Sequence, residues 1–345
     1  MDRCDVLIVG AGPAGCSAAY HLSKLGVGNV TVIERMPEHR YERYHRTCGE
    51  AVSDSMLSSS GMPDGYGIRR VTRIRMSHKD VRMEIPVRGW IIDRNALLKG
   101  ILEESGASVV QDSVVAIERT EEGFLIRCKG GEHLCRYLIG ADGAFSVVRK
   151  QIFGTSPEIR FPAVNNIVES DDVDDALGFE ISERYPGAYR WDFPSASGTR
   201  SIGYLAGTDD VPDPKERGIR YIVAGRSRRV VEGCCCIVGD AAMLANALCY
   251  GGIGAALLTG RKAAEAIAAG DLNRYSRWVS RSSLFDHHYM DAEETFMSWE
   301  EADIDDAVRP FKGGYSVLRG FYAMLRRPRW ANVYMSIWMA LRHGW

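Results

Sequence analysis

No apolar run in this sequence approaches the roughly 18 residues that a membrane-crossing helix needs, so a spanning protein is not expected. Charge of one sign is lacking too. Against 45 Asp and Glu stand 43 Lys and Arg, and a net charge of −2 gives no electrostatic ground for nucleic-acid binding. The nine cysteines are odd in number and contain no Cys-x-x-Cys pair. Neither a disulfide framework nor a metal site is therefore expected, and a reduced, cytoplasmic setting is the simpler reading. There is no internal repeat and no low-complexity linker. A strand pattern begins almost at the first residue, so no signal peptide is expected. What is present, 46% hydrophobic and 26% charged over 345 residues, suits one large two-part domain or two domains sharing a sizeable core.

The chain opens on Asp5-Val-Leu-Ile-Val9, a short apolar run of the buried parallel-strand kind. Gly10-Ala-Gly12-Pro13-Ala14-Gly15 follows, then a helical stretch from about Ala14 to Leu25 and a second strand, Val30 to Ile33, ending at Glu34. The pattern is a βαβ unit. Residues 68–92 read as two or three alternating strands, 93–104 as a helix, and 109–127 as a hairpin turning at Glu-Glu-Gly. Leu138 to Gly140 is a strand running into another glycine-bearing turn. An aromatic-rich, strand-like stretch spans 161–206, buried-strand character returns at Cys234–Val238, and the pattern after Gly254 is helical nearly to the end.

Gly10-x-Gly12-x-x-Gly15 lies where a dinucleotide fingerprint requires it, after a strand and opening a helix. The first glycine permits the tight turn, the second admits a pyrophosphate to the backbone, and the third lets helix pack on strand. The helix N-terminus offers free amides and a positive dipole end to the phosphates. Glu34 is placed to accept hydrogen bonds from ribose hydroxyls and would repel a 2′-phosphate. Two further clues are ambiguous alone. The strand ending in Gly239-Asp240 could hold a polar cofactor chain or merely cap a helix, and Gly140-Ala-Asp142-Gly143-x-x-Ser146-x-x-Arg149 could be a structural turn with a capping Asp.

Taken in order, GxGxxG with Glu34, GADGxxSxxR and GDAA resemble the flavoprotein group that contains para-hydroxybenzoate hydroxylase and the geranylgeranyl reductases. Two stretches resemble the reductase branch. His45-Arg46-Thr-Cys48-Gly49-Glu50 is similar to its cysteine-glycine motif beside the flavin ring, and Pro186-Gly-Ala-Tyr189-Arg-Trp191-Asp-Phe193-Pro194 agrees with its PxxYxWxFP pattern at every specified position. The resemblance implies an α/β (α+β overall) fold: a Rossmann-like FAD-binding domain built from 1–66, 93–155 and 230–270, an inserted antiparallel-sheet substrate domain from 67–92 and 156–229, and a helical C-terminal region, 271–345. It implies FAD at Gly10, Gly12, Pro13, Ala14, Gly15, Glu34 and Arg35, and at Arg46, Cys48, Gly49, Arg94, Val115 and Asp142. The flavin end would meet Gly239, Asp240, Gly251, Gly252, Ile253 and Gly254. Alone, Arg94 reads equally as a solvated helix-face arginine, Cys48 as a small buried hydrophobe, and the glycines at 251–254 as a helix start made for packing.

By alternation Tyr189, Trp191 and Phe193 share one strand face. Such a stripe is ordinarily core, and the resemblance makes it the wall of an apolar tunnel for a prenyl chain. The activity implied is reduction by FAD of C=C bonds in geranylgeranyl chains of archaeal membrane lipid precursors, with Cys48 or a nearby water on the proton path. A prenylated lipid or prenyl diphosphate is the expected substrate. Without a second glycine fingerprint for NAD(P)H, the electron donor is expected to be external, a ferredoxin-like protein or a reduced nicotinamide. The alternatives are an aromatic hydroxylase or epoxidase on the same fold, and a non-catalytic prenyl-lipid-binding flavoprotein. His287-His288-x-x-Asp291 has ligand-like spacing, but in an acidic segment it reads as a solvated helix face. Finally, Trp330, Tyr334, Ile337, Trp338 and Leu341 fall on one helical face flanked by Arg326, Arg327, Arg329 and Arg342. That face suits docking on the body or a peripheral membrane contact through 326–342.

Overall fold

The computed structural model describes residues 1–172, 174–225, 227, 229–343 and 345, apart from the side chains of 342 and 343. The first segment is β1 (Asp2–Val9), α1 (Pro13–Lys24) and β2 (Val30–Glu34), with β1 and β2 paired in parallel from Val6/Val30 to Val9/Ile33. Every residue of β2 is buried, as a strand covered on both faces must be. Next come α2 (Glu38–Arg46), β3 (Ala51–Ser53), α3 (Asp54–Ser60), the long antiparallel pair β4 (Gly67–His78) and β5 (Val81–Ile92), and α4 (Arg94–Ser105). Asp93 caps α4, its carboxylate accepting from the Ala96 amide at 2.9 Å. Then follow β6 (Ser108–Gln111), the hairpin β7 (Val114–Thr120) and β8 (Gly123–Cys128), and β9 (Glu132–Gly140).

The chain then enters a second sheet through β10 (Ile159–Glu169), β11 (Ala176–Glu180), β12 (Arg190–Pro194), β13 (Thr199–Leu205) and β14 (Glu216–Val223). It returns through β15 (Val231–Glu232) and β16 (Cys235–Ile237) to the first sheet. The rest is helical: α5 (Ile253–Ala268), α6 (Asn273–Arg281), α7 (His288–Met297), α8 (Glu301–Val308), α9 (Val317–Arg326) and α10 (Ala331–His343).

The first sheet runs β15-β16-β9-β1-β2-β6, parallel from β16 to β6, with the β7/β8 hairpin attached to β9. The three strands β16, β9 and β1 end side by side, so the turns after Val9, Gly140 and Ile237 meet at one carboxyl edge. Ligands of open α/β sheets bind at such an edge. The second sheet, β14-β10-β13-β12-β11-β4-β5-β3, is antiparallel except where β11 runs parallel to β4. The α/β class and the helical C-terminal region are as the sequence led us to expect.

Two strands carried no usable signal in the sequence. β3 is too short to show a period, and it joins the second sheet by pairing with β5. β14 lies in the stretch between Ala206 and Val230 and forms an edge strand on β10, with alternate residues half-buried and exposed.

Candidate functional site

Gly10 takes φ +99° and a Cβ on Gly15 would sit 1.9 Å from the Gly10 carbonyl oxygen, so this turn closes only with glycine at both positions. Gly12 leads α1, Pro13 occupies its first turn, and no side chain caps it. The first amides of α1 are left for a ligand. Glu34 closes the turn from the side, its carboxylate accepting from the Ala11 amide at 2.9 Å and the Met36 amide at 2.8 Å. His45 lies over the same turn, with its Cε1 3.9 Å from where a Gly12 Cβ would be. Burial and the charges of Arg94 and Arg220 push this imidazole down to about 2, so it stays neutral, and its Nδ1 is buried with no partner among the described residues. An uncapped helix start, a glycine cradle and an orphaned ring nitrogen fit the pyrophosphate of a dinucleotide.

Arg149 fastens the turns after Gly140 and Ile237 together. Its guanidinium is fully buried and donates to the carbonyls of Asp240 and Ala241 at 3.3 and 2.8 Å, and to that of Ala144. The Asp142 carboxylate is spent within its own turn, accepting from Ser146 Oγ at 2.5 Å and the Val147 amide at 2.6 Å. What Asp142 offers a ligand is therefore its backbone. Asp240 is half-buried, and desolvation raises its carboxyl to about 6 against the pull of Arg94 and Arg149. Its Oδ1 is 3.5 Å from where a Gly252 Cβ would lie, which places it at the uncapped start of α5 beside Gly251 and Ile253.

Arg94 is not a solvated arginine. It is buried, and its Nε donates to the His45 carbonyl at 2.8 Å, tying α4 to the end of α2. Arg46 does not face this cleft as expected. It pairs with Glu216 on β14 at 2.8 Å, because consecutive helix residues project about 100° apart and His45 takes the inward direction. Arg35 is exposed beyond β2. Val115 is 56% exposed on β7, with its carbonyl held by Gln151 Nε2 at 2.9 Å.

Against the cleft lies a cavity of about 270 Å³ whose wall includes Cys48, Gly49, Gly251, Gly252 and Ile253. Tyr189, Trp191 and Phe193 all border it and are half-buried rather than core. Phe179 knits the wall, edge-on to Tyr189 at 4.8 Å and to Phe193 at 5.1 Å. Tyr189 Oη donates to the Cys249 carbonyl at 2.5 Å, and Trp191 Nε1 to Asn165 Oδ1 at 3.0 Å, so both rings are fixed in place. Phe193 and Gly49 are matched, since a Cβ on Gly49 would lie 2.7 Å from the Phe193 ring. The cysteine-glycine stretch and the aromatic pattern, some 140 residues apart, thus form one surface.

Glu50 and Arg220 are the charged residues among the described residues of this wall. Arg220, from the unanticipated β14, reaches Thr47 Oγ1 at 2.8 Å and lies over the Tyr44 ring. Glu50 holds a left-handed backbone, φ +53°, and is buried. Burial raises its carboxyl to about 8, outweighing the lowering by the Arg94 charge. It is protonated at neutral pH. The sequence shows Glu50 inside a noted motif, but its environment is set by β5 and α4 more than 40 residues on.

A family model described as FAD dependent oxidoreductase matches residues 5–50, the span of the glycine turn, Glu34 and the His45–Glu50 stretch. Digeranylgeranylglycerophospholipid reductase 1 of Methanothermobacter thermautotrophicus is 26% identical over 90% of this chain and 91% of its own length. Digeranylgeranylglycerophospholipid reductase 2 of the same organism is 29% identical over 82% of this chain and 83% of its own. Among solved structures, a geranylgeranyl bacteriochlorophyll reductase-like protein from Thermoplasma acidophilum superposes with a TM-score of 0.78, at 20% identity, over 94% of this chain and 96% of that one. At that identity the superposition shows the fold.

Proposed function

We propose that this chain, an FAD-dependent oxidoreductase related to the digeranylgeranylglycerophospholipid reductases, saturates C=C bonds in geranylgeranyl chains of membrane-lipid precursors. One observation carries the reading: the cleft that fits the dinucleotide opens, at Gly251–Ile253, onto a cavity walled almost wholly by apolar side chains, with Glu50 as the carboxyl side chain among the described residues of its wall. An isolated alkene offers nothing to hydrogen-bond, so a site for it consists of shape, dryness and a proton.

When bound, reduced FAD supplies the hydride. The remaining work belongs to this chain. Gly10–Gly15, Glu34 and His45 hold the adenylate and pyrophosphate half, and Asp240 with the start of α5 holds the flavin half. Tyr189, Trp191, Phe193 and Phe179 keep water out and align the chain, which is positioning catalysis in a low-dielectric channel. The proton sits on the Glu50 carboxyl. Its conjugate base is left beside the Arg94 guanidinium, whose charge already favours ionisation of Glu50. Cys48 shares the wall with Glu50, two residues away in the chain, and is a second group on the proton path. The electrons enter from an external donor.

The test is anaerobic. The protein is reduced with dithionite, mixed with a geranylgeranylated lipid, and followed by flavin absorbance together with mass spectrometry of the lipid. Reoxidation of the flavin with the mass of one hydrogen molecule gained per double bond is the expected result. A flavin that stays reduced beside unchanged lipid sinks the reading.

A further inference from the structure

Asp306 is the last acidic residue of the chain. Residues 307–345 carry seven Lys and Arg and no Asp or Glu, in a protein whose net charge is −2. Some of these cations are tied back to the body: Arg327 and Arg329 to Asp306 at 3.0 and 2.8 Å, and Lys312 to Asp80 at 2.7 Å. Arg309 and Arg326 are exposed and have no ion-pair partner among the described residues.

Within this basic segment, α9 is turned inside out. Val317, Leu318, Phe321, Tyr322 and Leu325 recur at the spacing of one helical face, and that face points away from the protein, with Leu318 and Leu325 each 81% exposed. The opposite face buries Ala323 and roofs a second apolar cavity, of about 210 Å³, with Gly320 and Met324. Val317, Phe321, Met335 and Trp338 border that cavity and are also 41% to 58% exposed, so they ring its mouth. At its inner end the second cavity shares Met76, Ile181, Trp299, Val333, Ile337 and Leu341 with the first. The inner face of α10 that looked amphipathic in sequence is thus partition wall, with Tyr334 anchored by its Oη to the Ala307 carbonyl at 2.8 Å. The side chain of Arg342 lies outside the described residues.

We propose that α9, with Met335 and Trp338, seats in the interface of an anionic lipid bilayer, and that the second cavity is the portal through which a prenyl chain passes from the bilayer to the first cavity. An outward apolar helix face with Tyr and Trp at its margin, on a segment whose own Lys and Arg are matched by no Asp or Glu of its own, fits the chemistry of that interface. A protein partner seated on α9 would cover the mouth, whereas a bilayer feeds it. The portal rests on the prenyl-lipid reading above, but the docking itself does not.

The experiment is co-sedimentation of the flavin-loaded protein with vesicles of phosphatidylcholine with or without phosphatidylglycerol. Wild type is expected to sediment with the anionic vesicles, less with pure phosphatidylcholine, and progressively less as salt shortens the Debye length. Leu318→Glu/Leu325→Glu should lower the partition coefficient roughly tenfold or more. Both side chains are exposed and neither borders a cavity, so the variant should keep its melting temperature and its turnover of a short, water-soluble prenyl diphosphate. Wild type left in the supernatant, or a variant that sediments as wild type does, overturns the proposal. So does a wild-type dimer that becomes monomeric in the variant without any vesicle binding, because a second copy then covers α9. Vesicle binding that depends on α9 in a protein that reduces no prenyl substrate would instead refute the proposed function and leave the docking standing.

Discussion

Replacing Glu50 by Gln removes an ionisable group that the fold holds protonated, and the consequence for stability has a definite sign. The carboxyl moves from an ordinary 4.5 in the unfolded chain to about 8 in the fold. Between those values the folded protein keeps a proton that the unfolded chain has released, so stability falls as pH rises through that window. At 1.36 kcal/mol per pH unit the whole shift amounts to about 5 kcal/mol, of which about 3 is already lost at neutral pH. The neighbours that bear on this group, Arg94, Asp93 and Arg46, are unchanged by the substitution. Gln does not titrate. Urea unfolding of wild type and Glu50→Gln, with flavin saturating in both, should therefore show stability curves that diverge by about 5 kcal/mol between about pH 4.5 and pH 9, the variant being favoured at high pH. The same variant should lose roughly 10²–10⁴ in kcat while still binding prenyl lipid, and wild-type kcat should decline above about pH 8 as the acid form is titrated away. Parallel stability curves would mean that Glu50 is already ionised at neutral pH, and its place as proton source would fall with them.

Three further substitutions separate the parts of the site. Gly15→Ala places a methyl 1.9 Å from the Gly10 carbonyl oxygen, so the purified protein should lose its flavin absorbance, and retention of full flavin would show the turn to be tolerant. Arg149→Met removes the donor to the carbonyls of Ala144 and Ala241, leaving Asp240 only its bond from the Met243 amide, and should cost about 3 kcal/mol in chemical denaturation, together with weaker flavin binding. Phe193→Ala tests wall against core: truncation of a core Phe costs roughly 3–5 kcal/mol, whereas a ring facing a hollow should cost less and instead raise KM for the prenyl substrate about tenfold.

What the sequence disclosed follows the range over which each feature is encoded. The turn from Gly10 to Gly15 and its acid Glu34 lie within one βαβ unit, so strand, turn, helix and acid are all read from 30 residues, and the fold builds them as read. Tyr189, Trp191 and Phe193 were visible as a stripe, but a stripe says only that three rings share a face. That the face meets a cavity depends on Gly49, whose missing Cβ admits Phe193, and on α5, whose glycine start forms the opposite side. Arg46 and His45 show the limit of adjacency: one step along α2 decides between a surface ion pair and the cleft. The C-terminal helices make the same point about solvent. Apolar residues at helical spacing on α10 and on α9 carry the same periodic signal, yet Val333 and Ala340 are buried while Leu318 and Leu325 look outward. Periodicity reports that a helix has an apolar face. Whether that face meets protein or lipid is settled by what the rest of the chain has already covered, and here α10 takes the place against the body and leaves α9 outside it.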